Sequence, residues 1–184
     1  MPKLDLYPLP SHASPEALAD STVIVVDLLR ASTTICTALA AGAECVMPFA
    51  TIEETLAAAE RYGRENVLLG GERHGKLIPG FDLGNSPTEY TPDRVRRRRI
   101  LFTTTNGARA LDYARHARRV LVGAAANRTA VATAVGRKAN VAILCAGTDG
   151  VIAREDRLAG GAIIEAILYA TGTTWATTAP PGPH

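Results

Sequence analysis

"VIVVDLLRASTT", residues 23–34, starts as an apolar run rich in β-branched residues, the composition of a buried strand. It then meets an acid, Asp27, an arginine, Arg30, and three hydroxyls, Ser32, Thr33 and Thr34, which open a small-residue helix. Read outward, the strand is "TVIVVDLL" (22–29) and the helix "ASTTICTALAAG" (31–42), with Gly42 placed to end it. A strand that passes directly into a helix is half of a crossover unit, and a fold made of such units has a parallel sheet.

The same alternation runs along most of the chain. "ECVMPF" (44–49), "NVLLGGE" (66–72), "RILFTTTN" (99–106), "RVLVGAA" (119–125) and "NVAILCAG" (140–147) read as further strands. Helices are expected over "TIEETLAAAERYG" (51–63), "GARALDYARHA" (107–117), "NRTAVATAVGR" (127–137) and "REDRLAGGAIIEAILYAT" (154–171). Thr51 with Glu54 forms the capping-box pattern, and Asn127 stands at a capping position. The segment "RHGKLIPGFDLGNSPTEYTP" (73–92) is irregular. The expectation is a single α/β domain over residues 1–170, a mainly parallel sheet with helices on both faces. Residues 171–184, rich in Thr, Pro and Gly, are expected to be a disordered tail.

Composition narrows the class. The 184 residues suffice for one domain with a substantial core, and 47% hydrophobic against 21% charged residues is ordinary for a globular protein. A formal net charge of +2 gives no general attraction to nucleic acid. The basic run "RVRRRR" (94–99) lacks interleaved aromatics and reads as a solvated face. The N-terminus has no signal-peptide pattern, and apolar runs fall well short of the ~20 residues of a membrane span. Cys36, Cys45 and Cys145 are odd in number, widely spaced and set among apolar or small residues, so they read as core residues. A cytoplasmic location is expected.

In an open α/β sheet, ligands bind beyond the carboxyl ends of the strands. Asp27 and Arg30 lie at such an end, as do Glu72, Thr103–Thr105 with Asn106, Asn127 and Asp149. The loop "FDLGNSP" adds Asp82, Asn85 and Ser86, and the last helix opens with Glu155 and Asp156. Acids and amides at one edge suit a hard divalent cation with oxygen ligands. Arginine, hydroxyls and helix-start N–H groups suit an anionic substrate. Asp27 could instead cap the following helix, and Arg30 could pair with it structurally.

Three short motifs fail. "GGERHGK" (70–76) has P-loop spacing, but Leu77 replaces the Ser or Thr that would reach magnesium. Arg73-His74-Gly75 resembles the histidine-phosphatase nucleophile motif, yet that chemistry needs a second active-site histidine. Leu29 stands where a haloacid-dehalogenase phosphatase has its second acid.

The blocks "VDLLRASTTICTALAAGA", "GGERHGKLIPGFDLGNSPTEY", "TTTNGARAL", "VGAAANRTAVA" and "ILCAGTDGVIAREDRLAGGAI" resemble, in order, those of the 2-phosphosulfolactate phosphatase family, from about residue 4 to about residue 170. The resemblance implies an α/β fold and a magnesium-dependent phosphatase. Such an enzyme hydrolyses 2-phosphosulfolactate to sulfolactate and phosphate, a step of coenzyme M biosynthesis. It also implies a further helical and strand-bearing portion after the last block, where this sequence has its Thr/Pro tail and looks truncated. His74 stands where the family is expected to have a small residue.

The resemblance implies the substrate; from the residues themselves Mg²⁺ is expected on Asp27, Glu72 and Asp156, with Asp27, Arg30 and Glu72 as the catalytic group. Substrate contacts are expected from Arg73, Asn85, Ser86, Thr104, Thr105, Asn106 and Gly107. The nucleophile is either a metal-activated water or an aspartate. The implied partner is a small phosphorylated anion, with no nucleic acid and no membrane, and a homodimer is left open. The alternative readings are a non-catalytic binder of a small dianionic acid and a histidine-type phosphatase using His74.

Overall fold

The computed structural model describes residues 1–136 and 140–176. In chain order its elements are β1 (Leu4–Tyr7), α1 (Pro15–Ala19), β2 (Ser21–Val26), α2 (Ala31–Ala40), β3 (Cys45–Pro48), α3 (Ile52–Tyr62), β4 (Val67–Arg73), β5 (Lys76–Leu77), α4 (Pro92–Val95), β6 (Arg99–Thr103), α5 (Gly107–Tyr113), β7 (Arg119–Gly123), α6 (Arg128–Val135), β8 (Asn140–Cys145) and α7 (Arg154–Thr171). The α/β alternation is the one expected. The strands group into two four-stranded sheets, in the orders β1-β8-β2-β7 and β3-β6-β4-β5. Every pairing is parallel except the β4–β5 hairpin.

Each sheet is covered on both faces, which is why its strands are apolar on consecutive residues. In β2, Val23, Ile24, Val25 and Val26 are all within 1% of complete burial. Ile24 and Val26 pack with Ile163 and Ile167 of α7 and Val131 of α6, while Val23 and Val25 meet Leu18 of α1 and Ala110 of α5. Burying one such side chain stabilises the fold by roughly 1.5–3 kcal/mol. In the second sheet, Ile100 and Phe102 of β6 face α2 and Tyr90, and Leu101 faces Ala58 and Ala59 of α3.

Strands stop where backbone groups leave the ladder for side chains. The strand expected over 22–29 ends at Val26, because the Asp27 N–H donates to Ser32 Oγ (3.0 Å) and the Leu28 N–H to Asp156 Oδ1 (2.8 Å). The strand expected over 99–106 ends at Thr103, beyond which Thr104 Oγ1 accepts the Ala108 N–H at 3.1 Å and Thr105 turns to Glu72. The Thr51–Glu54 capping box is formed. Asn127 precedes α6, but its side chain closes the preceding turn, accepting from Ala124 N and donating to Val122 O. The run 94–99 serves locally: Arg94 donates to Asp82 O, Arg98 to Glu65 O, and Arg99 pairs with Glu44.

α7 ends at left-handed Gly172 (φ 56°). Of the tail expected over 171–184, the residues up to Ala176 run back to the first sheet, where Leu4 N–H donates to Ala176 O at 2.9 Å. Residues 177–184 lie outside the described residues. No helix among the described residues is long and apolar enough to cross a membrane.

Candidate active site

A cavity of about 420 Å³ opens where the carboxyl ends of β2, β4, β6 and β8 meet, so both sheets contribute to it. Asp27, Leu29 and Arg30 come from the β2–α2 connection; Glu72, His74 and Gly75 come from the β4–β5 turn. Asn85 comes from the irregular segment, Thr105 and Asn106 from the start of α5, and Gly147, Thr148 and Asp149 from the β8–α7 loop. Glu155 and Asp156 complete it from the first turn of α7.

Asp27 leaves β2 at its buried end and is 8% exposed. Its Oδ1 accepts the Ala31 N–H at 3.2 Å, so it does help to start α2. That bond does not balance its surroundings. Burial first, then the neighbouring charges of Asp156 and Glu72, push its carboxyl up to about 6.

Asp156 accepts from Leu28 N (2.8 Å) and Gly147 N (3.0 Å), one bond on each oxygen. Burial raises its carboxyl above the ordinary range, against those bonds. Glu72 goes the other way. Burial raises it, but the N–H groups of Thr105 (2.8 Å on Oε1) and Gly75 (2.6 Å on Oε2), the Thr105 hydroxyl and the Arg73 charge together hold it below the ordinary range. Glu72 is therefore the most readily ionised of the three, while burial works against the charged forms of Asp27 and Asp156.

Arg30 lines the cavity, and among the described residues it forms no ion pair. The structural pairing with Asp27 does not occur. Asn85 is 7% exposed, and its Oδ1 is buried with no hydrogen-bond partner. Asn106 Oδ1 accepts the Asp149 N–H at 3.1 Å, which ties the β8–α7 loop to α5.

The structure thus brings together Asp27, Arg30, Glu72, Asn85, Thr105, Asn106 and Asp156. Arg73 lies elsewhere: its guanidinium donates to Glu72 O (2.8 Å), Thr103 Oγ1 (2.8 Å) and Ala50 O (3.4 Å), lacing strand ends together. Ser86 pairs with Thr88 at 2.9 Å, and Thr104 is a buried helix cap. Gly107 packs on Asp27 from behind. Two other strand-edge residues are structural: Asp82 pairs with Arg64 and accepts the Leu69 N–H, and Asn127 closes a turn. The β8–α7 loop carries a contribution that residue types alone did not single out, from Gly147 and Thr148. Its signal was the run of Gly and Asp beyond an apolar strand.

Five carboxylic side chains and one guanidinium line the cavity. Among the described residues, no group of three or more His, Cys, Asp or Glu side chains is placed to hold a metal ion together. His74 is the one histidine among the described residues to line the cavity, which leaves a histidine-type phosphatase without its second histidine. Cys145 is buried and its thiol is pushed up to about 12 by burial and then by Asp156, which leaves it unsuited to attack.

The sequence matches the 2-phosphosulpholactate phosphatase family over residues 7–179. The chain belongs to that family. A "Probable 2-phosphosulfolactate phosphatase" of Symbiobacterium thermophilum is 49% identical over 151 residues, 82% of this chain and 65% of that protein. Proteins with the same description from Caldanaerobacter subterraneus subsp. tengcongensis and Clostridium botulinum are 40% and 38% identical, over 91% and 90% of this chain and 70% of each relative. The chain therefore spans about two thirds of the length of these curated relatives. Family membership gives the five sequence blocks one explanation, since four of them meet at this cavity. The fifth, "VGAAANRTAVA", builds β7 and α6 beside it.

Proposed function

We propose that the chain is a Mg²⁺-dependent phosphoric monoester hydrolase that converts 2-phosphosulfolactate and water to sulfolactate and phosphate. The observation that carries this reading is the cavity itself: buried, like-charged acids, with Asp27 raised to about 6, beside an orphaned amide oxygen on Asn85. Buried like charges and an unpartnered acceptor are both costly. A hard cation with a preference for oxygen relieves both costs, so the residues present fit Mg²⁺. Among the described residues no three such side chains are placed to hold a metal together, and Mg²⁺ commonly takes one or two carboxylates and fills its shell with water and substrate phosphate.

One or two of Asp27, Glu72 and Asp156 would hold the cation, which when bound would neutralise phosphate charge and acidify a water. Arg30, which forms no ion pair among the described residues, offers its planar fork to a tetrahedral or carboxylate oxyanion. Asn106, whose Oδ1 is committed to Asp149, offers its amide N–H₂. Attack of water on phosphorus breaks the P–O bond to C2, and the proton released by water ends on the sulfolactate hydroxyl. The direct test is phosphate release from 2-phosphosulfolactate, with Mg²⁺ and with excess chelator. Repeated turnover that needs Mg²⁺ is expected. Thermal stabilisation by sulfolactate without any release would identify a binder instead.

A further inference from the structure

The turn that carries His74 is built more rigidly than a surface hairpin requires. β4 and β5 are joined by two residues, His74 and Gly75, with Arg73 paired to Lys76 across them. Both have positive φ, 51° and 75°. That combination belongs to hairpin turns in which Asn, Asp or Gly usually fills the first position. Glycine would adopt it without strain, yet the chain places an imidazole there. The turn is also fixed to the cavity wall: Gly75 N–H donates to Glu72 Oε2 at 2.6 Å, and His74 N–H to Thr105 Oγ1 at 3.3 Å. His74 lines the cavity.

The remaining lining explains what an imidazole can do there. Ionised carboxylates cannot donate hydrogen bonds, and the Thr105 hydroxyl already donates to Glu72. Beside the neutral donors of Asn85, Asn106 and Thr148, Arg30 and His74 are the lining residues whose side chains are guanidinium or imidazole donors. A substrate with one phosphate and two further acid groups presents anionic oxygens beyond those one guanidinium fork can bind.

Resting on the phosphatase reading above, we propose that His74 determines specificity. A ring N–H of His74 donates to an anionic oxygen on the half of the substrate away from phosphorus, so the site selects phosphomonoesters that carry additional acid groups. Neutral and protonated imidazole both have an N–H, so the contact does not require a particular charge state.

The test compares the full chain with its His74→Gly variant, in Mg²⁺, on 2-phosphosulfolactate and on glycerol 2-phosphate, which has no second acid. Initial rates of phosphate release are paired with calorimetric binding of each compound. Glycine suits the positive φ, so the melting temperature should hold or rise, and lost function will not reflect lost fold. The KM and Kd for 2-phosphosulfolactate should rise about tenfold, the equivalent of about 1.4 kcal/mol. The effect on glycerol 2-phosphate should be smaller, so the preference between the two falls. An unchanged preference, or an equal loss on both compounds, overturns the role of His74 while leaving the phosphatase reading intact. A wild-type chain that hydrolyses neither compound removes the phosphatase reading. The calorimetric arm then decides: weaker binding of 2-phosphosulfolactate by the variant supports the contact, and equal or absent binding overturns it.

Discussion

Gly107 stands against the Asp27 carboxylate with no room for a side chain between them: a Cβ on Gly107 would lie 2.6 Å from Asp27 Oδ2 and 2.5 Å from Ala31 Cβ. The contact joins the start of α5, which follows the second sheet, to the end of β2 in the first. It also lets the Gly107 N–H favour the charged form of Asp27, partly offsetting burial. Gly107→Ala should therefore cost about 1–3 kcal/mol, the usual range for overpacking, and displace the carboxylate. Urea unfolding should show a lower midpoint, and kcat should fall with it. An unchanged midpoint would mean that α5 has slack that this packing does not provide.

Arg30 and Arg73 should separate cleanly. Arg30 lines the cavity and forms no ion pair among the described residues, so Arg30→Lys should keep stability within about 0.5 kcal/mol. It should raise KM, because an ammonium lacks the bidentate fork. Arg73 makes three hydrogen bonds to Glu72, Thr103 and Ala50. Arg73→Lys should cost about 1–2 kcal/mol of stability with little change in KM. Kinetics and denaturation on the two variants check this; an effect of Arg73→Lys confined to KM would place its guanidinium on substrate.

The sequence made the strand–helix alternation plain, because β-branched runs of strand length alternate with capped helical segments. It did not reveal that the strands divide between two sheets, since pairing order depends on contacts far apart along the chain. β1 and the two-residue β5 are too short for a periodic signal. At the site, acids directly after apolar strands were readable, and Asp27 and Glu72 both line the cavity. Arg73, next to Glu72, was expected there too, because a planar guanidinium suits an oxyanion. Successive side chains in a strand point to opposite faces, so these two neighbours in β4 could not both face the cavity. Thr104 and Thr105 divide similarly, one capping a helix and the other holding Glu72.

Cation binding should be visible without turnover. With Asp27, Asp156 and Glu72 close enough to act on one another, a bound divalent ion stabilises the native state by RT ln(1 + [L]/Kd), about 2.7 kcal/mol at a hundredfold excess over Kd. Mg²⁺ should raise the melting temperature at pH 7.5, and Asp156→Asn should reduce the shift. Chelator should abolish phosphate release. Full turnover after exhaustive chelation, or a melting temperature indifferent to Mg²⁺, would remove the cation from the proposal.

Asp27→Asn sets stability against activity. In the cation-free protein the Asp27 carboxyl rises from 3.8 to about 6. Between those values the native protein keeps a proton that the unfolded chain has released. The stability tied to this proton is complete below pH ~4 and is lost as pH climbs through about 6, an effect of about 3 kcal/mol by pH 7 at one pKa unit per 1.36 kcal/mol. Asparagine cannot titrate, retains an oxygen for the Ala31 N–H, and is isosteric. The variant should match wild type near pH 4 and become the more stable of the two as pH rises to 7. Its turnover should fall by several orders of magnitude, each factor of ten being about 1.4 kcal/mol in the barrier. Unfolding midpoints from pH 4 to 8 and phosphate-release rates measure both halves. A variant that is less stable at pH 7 yet turns over normally would make Asp27 a helix-starting residue and move the reacting centre elsewhere in the cavity.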